Sequence, residues 1–153
     1  IDADWCAALI AGLAATAAAH GIALVGGDTT RGPLSLTVTV LGEVPTGQAL
    51  RRDHARAGDV VAVSGRLGDA AGALRALLAG EAADPALLQA LQRPAPRLAL
   101  GRALRGLAHA AVDVSDGLLA DLGHIARASG VVARVDSTRL PVSAALKAAR
   151  PAD

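Results

Sequence analysis

The chain has 153 residues, 52% of them hydrophobic and 19% charged, with a formal net charge of +1. That length suits one compact domain or pieces of two, and it allows a core of some size. A net charge so near zero excludes a protein that holds nucleic acid mainly by neutralising phosphates, and it excludes a polybasic membrane-surface module.

In chain order, Asp2 or Asp4 can cap a first helix that carries Trp5, Leu9 and Leu13 at i, i+4 spacing, with Gly21 stopping it after His20. Ile22 to Val25 reads as a short buried strand leading into the turn from Gly26 to Pro33. Leu34, Leu36, Val38 and Val40 then alternate with Ser35, Thr37 and Thr39, the period of a half-buried strand. Gly42 to Gly47 closes that strand, and the charged connector from Arg51 to Arg56 is the expected domain boundary. That boundary divides residues 1–50 from 51–153.

Asp59 to Ser64 reads as a strand, followed by a turn with Asp69 as cap and a helix through Leu78. Pro85 opens a short helix with Leu87, Leu88 and Leu91, and Pro94 and Pro96 precede another from about Arg97 to Leu107. Ala110 to Val114 is an expected strand, handing over at Ser115-Asp116-Gly117 to a helix that buries Leu118, Leu119, Leu122 and Ile125. Val131 to Val135 is the last expected strand, and Ser143 to Arg150 begins a final helix. Strands alternating with helices indicate an α/β or α+β layered fold.

The composition narrows the chemistry. Trp5 is the only aromatic residue, with Phe, Tyr and Met absent, so the core must be built from Leu, Val, Ile and Ala. Such a core is thin and leans on more protein. Lys147 is the only lysine, and the acids other than Glu43 and Glu81 are all Asp. Arginine suits planar contact with phosphate, and aspartate supplies hard oxygen ligands for Mg²⁺. Cys6 is single, which fits a reduced setting. No basic-then-apolar leader is visible, and the apolar run from Trp5 to Ala19, about 15 residues, is too short to span a bilayer. The expectation is a soluble, cytoplasmic chain.

Among candidate sites, Gly26-Gly27-Asp28 ends a strand. Paired glycines let backbone approach a bulky anion, and the carboxylate after them can hold a metal that bridges it. The same residues also make an ordinary turn in which Asp28 accepts bonds from its own loop. In Asp113-Val114-Ser115-Asp116-Gly117, two carboxylates stand three residues apart where a strand meets a helix. That carboxyl end is where open α/β sheets bind ligands, and free N–H groups at a helix start suit phosphate. Ser115 or Asp116 as a simple N-cap accounts for one of these polar residues and leaves Asp113, in an apolar strand, unexplained. Arg51-Arg52 reads as a solvated loop. Gly65-Arg66-Leu67-Gly68-Asp69 lacks the Lys and Ser/Thr of a Walker loop. The histidines show no zinc spacing, and no nucleophile sits in a recognisable elbow.

Taken in order, Gly26-Gly27-Asp28-Thr29-Thr30-Arg31-Gly32-Pro33 and Asp113-Val114-Ser115-Asp116-Gly117-Leu118 closely resemble the thiamine-monophosphate kinase family, within the aminoimidazole-ribonucleotide-synthetase-like ATP-binding superfamily. The likeness extends to Val44-Pro45, Gly47, Ala49-Leu50, Ala57-Gly58-Asp59, Arg93-Pro94, Pro96-Arg97 and Asp121-Leu122-Gly123-His124-Ile125, and so covers essentially the whole chain. It implies an α+β protein: the end of an N-terminal sheet-plus-helix ATP-binding domain, then most of an α/β C-terminal domain. It implies that Gly27, Asp28, Arg52 and Ser115 contact the nucleotide, and that Asp28, Asp113 and Asp116 are ligands of several Mg²⁺ ions. ATP and thiamine monophosphate are the implied substrates, and a homodimer joined through N-terminal sheets the implied assembly. The family's remaining metal and thiamine-binding segments would lie before Ile1 and after Asp153, so this chain alone is expected to be inactive. The alternatives are another ATP-dependent synthetase of the superfamily, or a non-catalytic nucleotide-binding module.

Overall fold

The computed structural model describes residues 2–149. It divides into two compact units, Ile1–Glu43 and Val44–Asp153, which part upstream of the charged connector at Arg51 to Arg56.

In the first unit, α1 runs over Ala3–Ala19, and the Asp2 carboxylate caps it by accepting from the Trp5 N–H at 2.7 Å. None of its residues is buried. Trp5, Leu9 and Leu13 form its least exposed large apolar seam, at 40%, 37% and 39%, against 58% for Ile10 on another face. The segment Leu34 to Val40 departs from expectation. Leu34, Leu36, Val38 and Val40 all stay exposed, and no sheet ladder forms there. Alternation decides which side chains share a face, whereas a strand exists only when a second backbone takes its hydrogen bonds.

The same correction holds for Ile22 to Val25, Asp59 to Ser64, Ala110 to Val114 and Val131 to Val135, none of which joins a ladder among the described residues. One parallel bridge, Arg51 with Ala110, is present, carried by the Ala111 N–H donating to the Arg51 carbonyl at 3.0 Å.

The second unit is organised by helices: α2 (Asp69–Leu78), α3 (Pro85–Gln92), α4 (Leu98–Ala103), α5 (Leu118–Ser129) and α6 (Ala144–Ala148), with a 3-10 turn at Ser137–Arg139. Pro85 takes the first turn of α3, and the Asp84 carboxylate caps it by accepting from the Ala86 N–H at 2.8 Å. Helix α4 ends earlier than expected, its last turn passing into loose turns before Leu107. At the start of α2 the cap is Gly68, whose φ of +87° favours glycine, and not Asp69. Asp69 instead accepts the Ser143 hydroxyl at 2.6 Å, while the same Ser143 oxygen caps α6 by accepting from the Leu146 N–H at 3.0 Å.

Helices α2, α3 and α6 pack around a small core of Ala73 and Leu87, the buried hydrophobic side chains among the described residues. On α5, Leu118, Leu122 and Ile125 are half-buried, but Leu119, expected among them, is 77% exposed. No helix among the described residues is long and apolar enough to cross a membrane.

Candidate functional site

The connector at Arg51 to Arg56 is anchored from two directions. The bridge to Ala110 fixes Arg51, and Ser129, the last residue of α5, holds the stretch from Arg52 to Ala55. The Ser129 hydroxyl donates to the Arg52 carbonyl at 2.9 Å and accepts from the Ala55 N–H at 3.1 Å. This brings Arg52 and Asp113 onto one open cleft of about 500 Å³, lined also by Leu50, Arg51, Asp53 and Val112.

The neighbouring arginines behave differently. Arg51 makes a two-pronged ion pair with Asp53, at 2.9 and 2.6 Å, and His54 adds a contact to the same carboxylate at 2.8 Å. The hydrogen bond from Arg51 is the main reason the Asp53 carboxyl lies below its usual value, and the same bond raises Arg51. Arg52 makes no ion pair or side-chain hydrogen bond among the described residues, so its planar guanidinium remains available to an anion. Both arginines are exposed, as a solvated loop would have them, but only Arg51 is spent on an internal carboxylate.

Asp113 and Asp116 are both exposed, which corrects the expectation that Asp113 sits buried in an apolar strand. Their carboxylates take part in no hydrogen bond or ion pair among the described residues. The backbone between them is occupied, however. Oδ2 of Asp121, a side chain only 3% exposed, accepts from the N–H groups of Ser115, Asp116 and Gly117 at 2.9, 3.1 and 3.1 Å. Gly117 is the N-cap of α5, with φ +117°, and no side chain of its own closes the helix. The three amides of the loop ahead of the helix are thus taken by an internal carboxylate, whereas the first-turn N–H groups of Leu118, Leu119 and Ala120 meet no acceptor among the described residues. Sequence reasoning places Asp121 in a shared motif but gives it no role; the available signal was an Asp four residues after a glycine at a helix start.

Asp28 and its glycines lie in the first unit. Asp28 accepts from the Thr29 N–H at 2.8 Å, as an ordinary turn would have it. Neither Gly26 nor Gly27 has a positive φ, and a Cβ on either would meet nothing within 4 Å. Packing within the chain therefore gives no reason for the glycine pair. A second pair of groups unforeseen from sequence is Asp59 and His109, joined at 2.8 Å. The Arg56 N–H first, and His109 next, hold the Asp59 carboxyl below its ordinary range.

For Mg²⁺, no group of three or more His, Cys, Asp or Glu side chains is gathered among the described residues. The donor set nonetheless suits this ion. Mg²⁺ is commonly held by one or two carboxylates together with substrate phosphates and water, and Asp113 and Asp116 supply two unpartnered hard oxygen donors on one loop.

Two family models match: the AIR synthase related protein N-terminal domain over residues 1–44, and the AIR synthase related protein C-terminal domain over residues 56–152. Among curated proteins, the chain is 45% identical over 151 residues to a thiamine-monophosphate kinase of Salmonella typhimurium, covering 95% of this chain and 46% of that protein. It is 48% identical over 132 residues to that of Escherichia coli, covering 83% and 41%, and 49% identical over 136 residues to that of Caulobacter vibrioides, covering 86% and 38%. A crystal structure of thiamine-monophosphate kinase from Stenotrophomonas maltophilia matches with a TM-score of 0.91 and 56% identity, over 97% of this chain and 50% of that one. The chain spans about half the length of the relatives it matches.

Proposed function

The chain belongs to the AIR synthase related protein family, and on that premise we propose that it carries part of the nucleotide and metal site of a thiamine-monophosphate kinase. The carrying observation is the cleft that brings together Arg52 and Asp113, a cation and a carboxylate without partners of their own. Likeness to named kinases at 45–49% identity supports the choice of substrates.

In this reading the enzyme moves the γ-phosphoryl group of ATP onto the phosphate of thiamine monophosphate. A phosphate oxygen of the acceptor forms the new bond to the γ-phosphorus, the bond to the β-bridging oxygen breaks, and its electron pair leaves with ADP. The product is thiamine diphosphate. The acceptor is its own nucleophile, since a phosphate monoester with a second pKa of about 6 is mostly dianionic at neutral pH. No side chain need remove a proton. Arg52 binds and orients the nucleotide phosphates, and the Ser115 hydroxyl donates to them. Gly27 and Asp28 of the first unit contact the nucleotide, the absence of side chains at Gly26 and Gly27 allowing close approach. Asp28, Asp113 and Asp116 would hold Mg²⁺, which when bound neutralises repelling phosphates and stabilises charge on departing ADP. The α+β fold arises if the expected strands pair in a larger sheet, with a homodimer in the cytoplasm as the working form.

The test uses the full-length enzyme in an ADP-release assay with thiamine monophosphate as acceptor. Asp113→Asn is expected to reduce turnover by at least about a hundredfold while leaving the melting temperature nearly unchanged. Near-normal activity with a collapsed melting temperature makes Asp113 structural. No turnover of thiamine monophosphate by the wild-type enzyme removes the kinase reading.

A further inference from the structure

The mechanism needs Asp113, Ser115 and Asp116 presented together, yet nothing in those residues holds their loop in shape. Gly117 at its end, with φ +117°, adds conformational freedom and no side-chain cap. The group that holds the loop lies one turn into α5. The Asp121 carboxylate gathers three consecutive N–H groups through one oxygen, and the Asp121 N–H donates back to the Gly117 carbonyl at 3.0 Å. Asp121 is one of two buried polar or charged side chains among the described residues, and it makes no ion pair among them.

We infer that Asp121 is a positioning residue: it locks the 113–117 loop so that side chains, and not backbone amides, face the substrate. The inference rests on the kinase reading for what those side chains bind, but its structural half stands apart from it. An anion at a helix start normally satisfies the first N–H groups and offsets the positive end of the helix dipole. Here Asp121, in the first turn of α5, places negative charge by the positive end of the dipole and takes the three amides of the loop ahead of the helix, so a substrate phosphate gains nothing from those three. The negative charge of Asp121 also makes the loop a poor site for a bare phosphate and a better one for a cation held by Asp113 and Asp116. The loop ahead of α5 thereby presents its side chains, with its own amides turned inward to Asp121.

The experiment uses the full-length enzyme with Asp121→Asn, which keeps one acceptor oxygen, and Asp121→Ala, which keeps none. Hydrogen exchange on the metal-free enzyme reads the loop directly. The amides of Ser115, Asp116 and Gly117 are expected to be protected in the wild type, less so in Asp121→Asn, and exposed in Asp121→Ala. Calorimetry with ATP and Mg²⁺ should then show affinity lowered on the order of 10–100-fold, the range for groups that orient metal ligands. In kinetics, the Mg²⁺ concentration for half-maximal rate should rise and kcat fall, with the KM for thiamine monophosphate little changed. A purely structural role would scale the active fraction and leave the Mg²⁺ dependence where it was. Unprotected amides in the wild type overturn the inference, as does Asp121→Ala exposing the amides without weakening Mg²⁺-dependent ATP binding. Should Asp121→Ala fail to fold, Asp121→Asn decides by the same readings. Absence of wild-type kinase activity alone defeats the proposed function, while exchange and calorimetry still judge Asp121.

Discussion

Leu87→Ala places the sharpest demand on the helical core of the second unit. Leu87 is 2% exposed and packs between α2 and α6. Its replacement removes three carbons, which at about 0.8 kcal/mol each gives roughly 2.4 kcal/mol in transfer alone. A void adds to this, because the α2 surface facing Leu87 is Gly72, which has no side chain to move in. A Cβ there would stand 3.4 Å from one Leu87 methyl and 2.6 Å from one Leu146 methyl. The sum is about 3–4 kcal/mol, a large share of the roughly 5–15 kcal/mol that stabilises a typical domain. Urea unfolding followed by far-UV circular dichroism reads it; Trp5 fluorescence would not, since Trp5 lies in the first unit. With a slope near 2 kcal/mol per molar, the midpoint should fall by roughly 1.5 M. Leu78→Ala, on the same α2 but 81% exposed, should shift stability by no more than about 0.5 kcal/mol. Gly72→Ala should cost less in the Leu87→Ala background than alone, because Leu146 can then yield, giving a coupling above about 0.5 kcal/mol. A loss below about 1 kcal/mol for Leu87→Ala refutes the reasoning, since α2, α3 and α6 would then not form a cooperative core.

Asp84→Ala removes the acceptor for the Ala86 N–H at 2.8 Å and should destabilise by about 1 kcal/mol in the same titration, with Asp84→Asn recovering most of it. Asp59 gives a pH signature. Its carboxyl is held below the ordinary 3.8 by the Arg56 N–H and then by His109, so its contribution is complete above that value and is lost as pH falls through the lower folded value. Thermal melts of wild type and Asp59→Asn should therefore differ at neutral pH and converge in acid, and a gap constant across pH contradicts the assignment. Arg51→Ala should raise the Asp53 carboxyl toward its usual value, readable by NMR titration, because the Arg51 hydrogen bond is the main cause of its depression.

Residues close in the chain carried most of what was legible. Asp2, Pro85 and Ser143 mark helix starts because a cap acts on N–H groups two or three residues away, within reach of local reasoning. The pairing of Asp113 with Asp116 and the motifs shared with the kinases were visible for the same reason. The expected strands were not realised as ladders, since alternation at Leu34 to Val40 names a face and says nothing about which backbone will pair with it. Tertiary structure alone separated Arg51, spent on Asp53, from Arg52, open on the cleft with Asp113. The bonds from the Ser115, Asp116 and Gly117 amides to Asp121 span only four to six residues and lay within reach of local spacing. A hydrogen bond has to satisfy each buried polar group, and which donor meets which acceptor is settled only when the chain has folded back on itself.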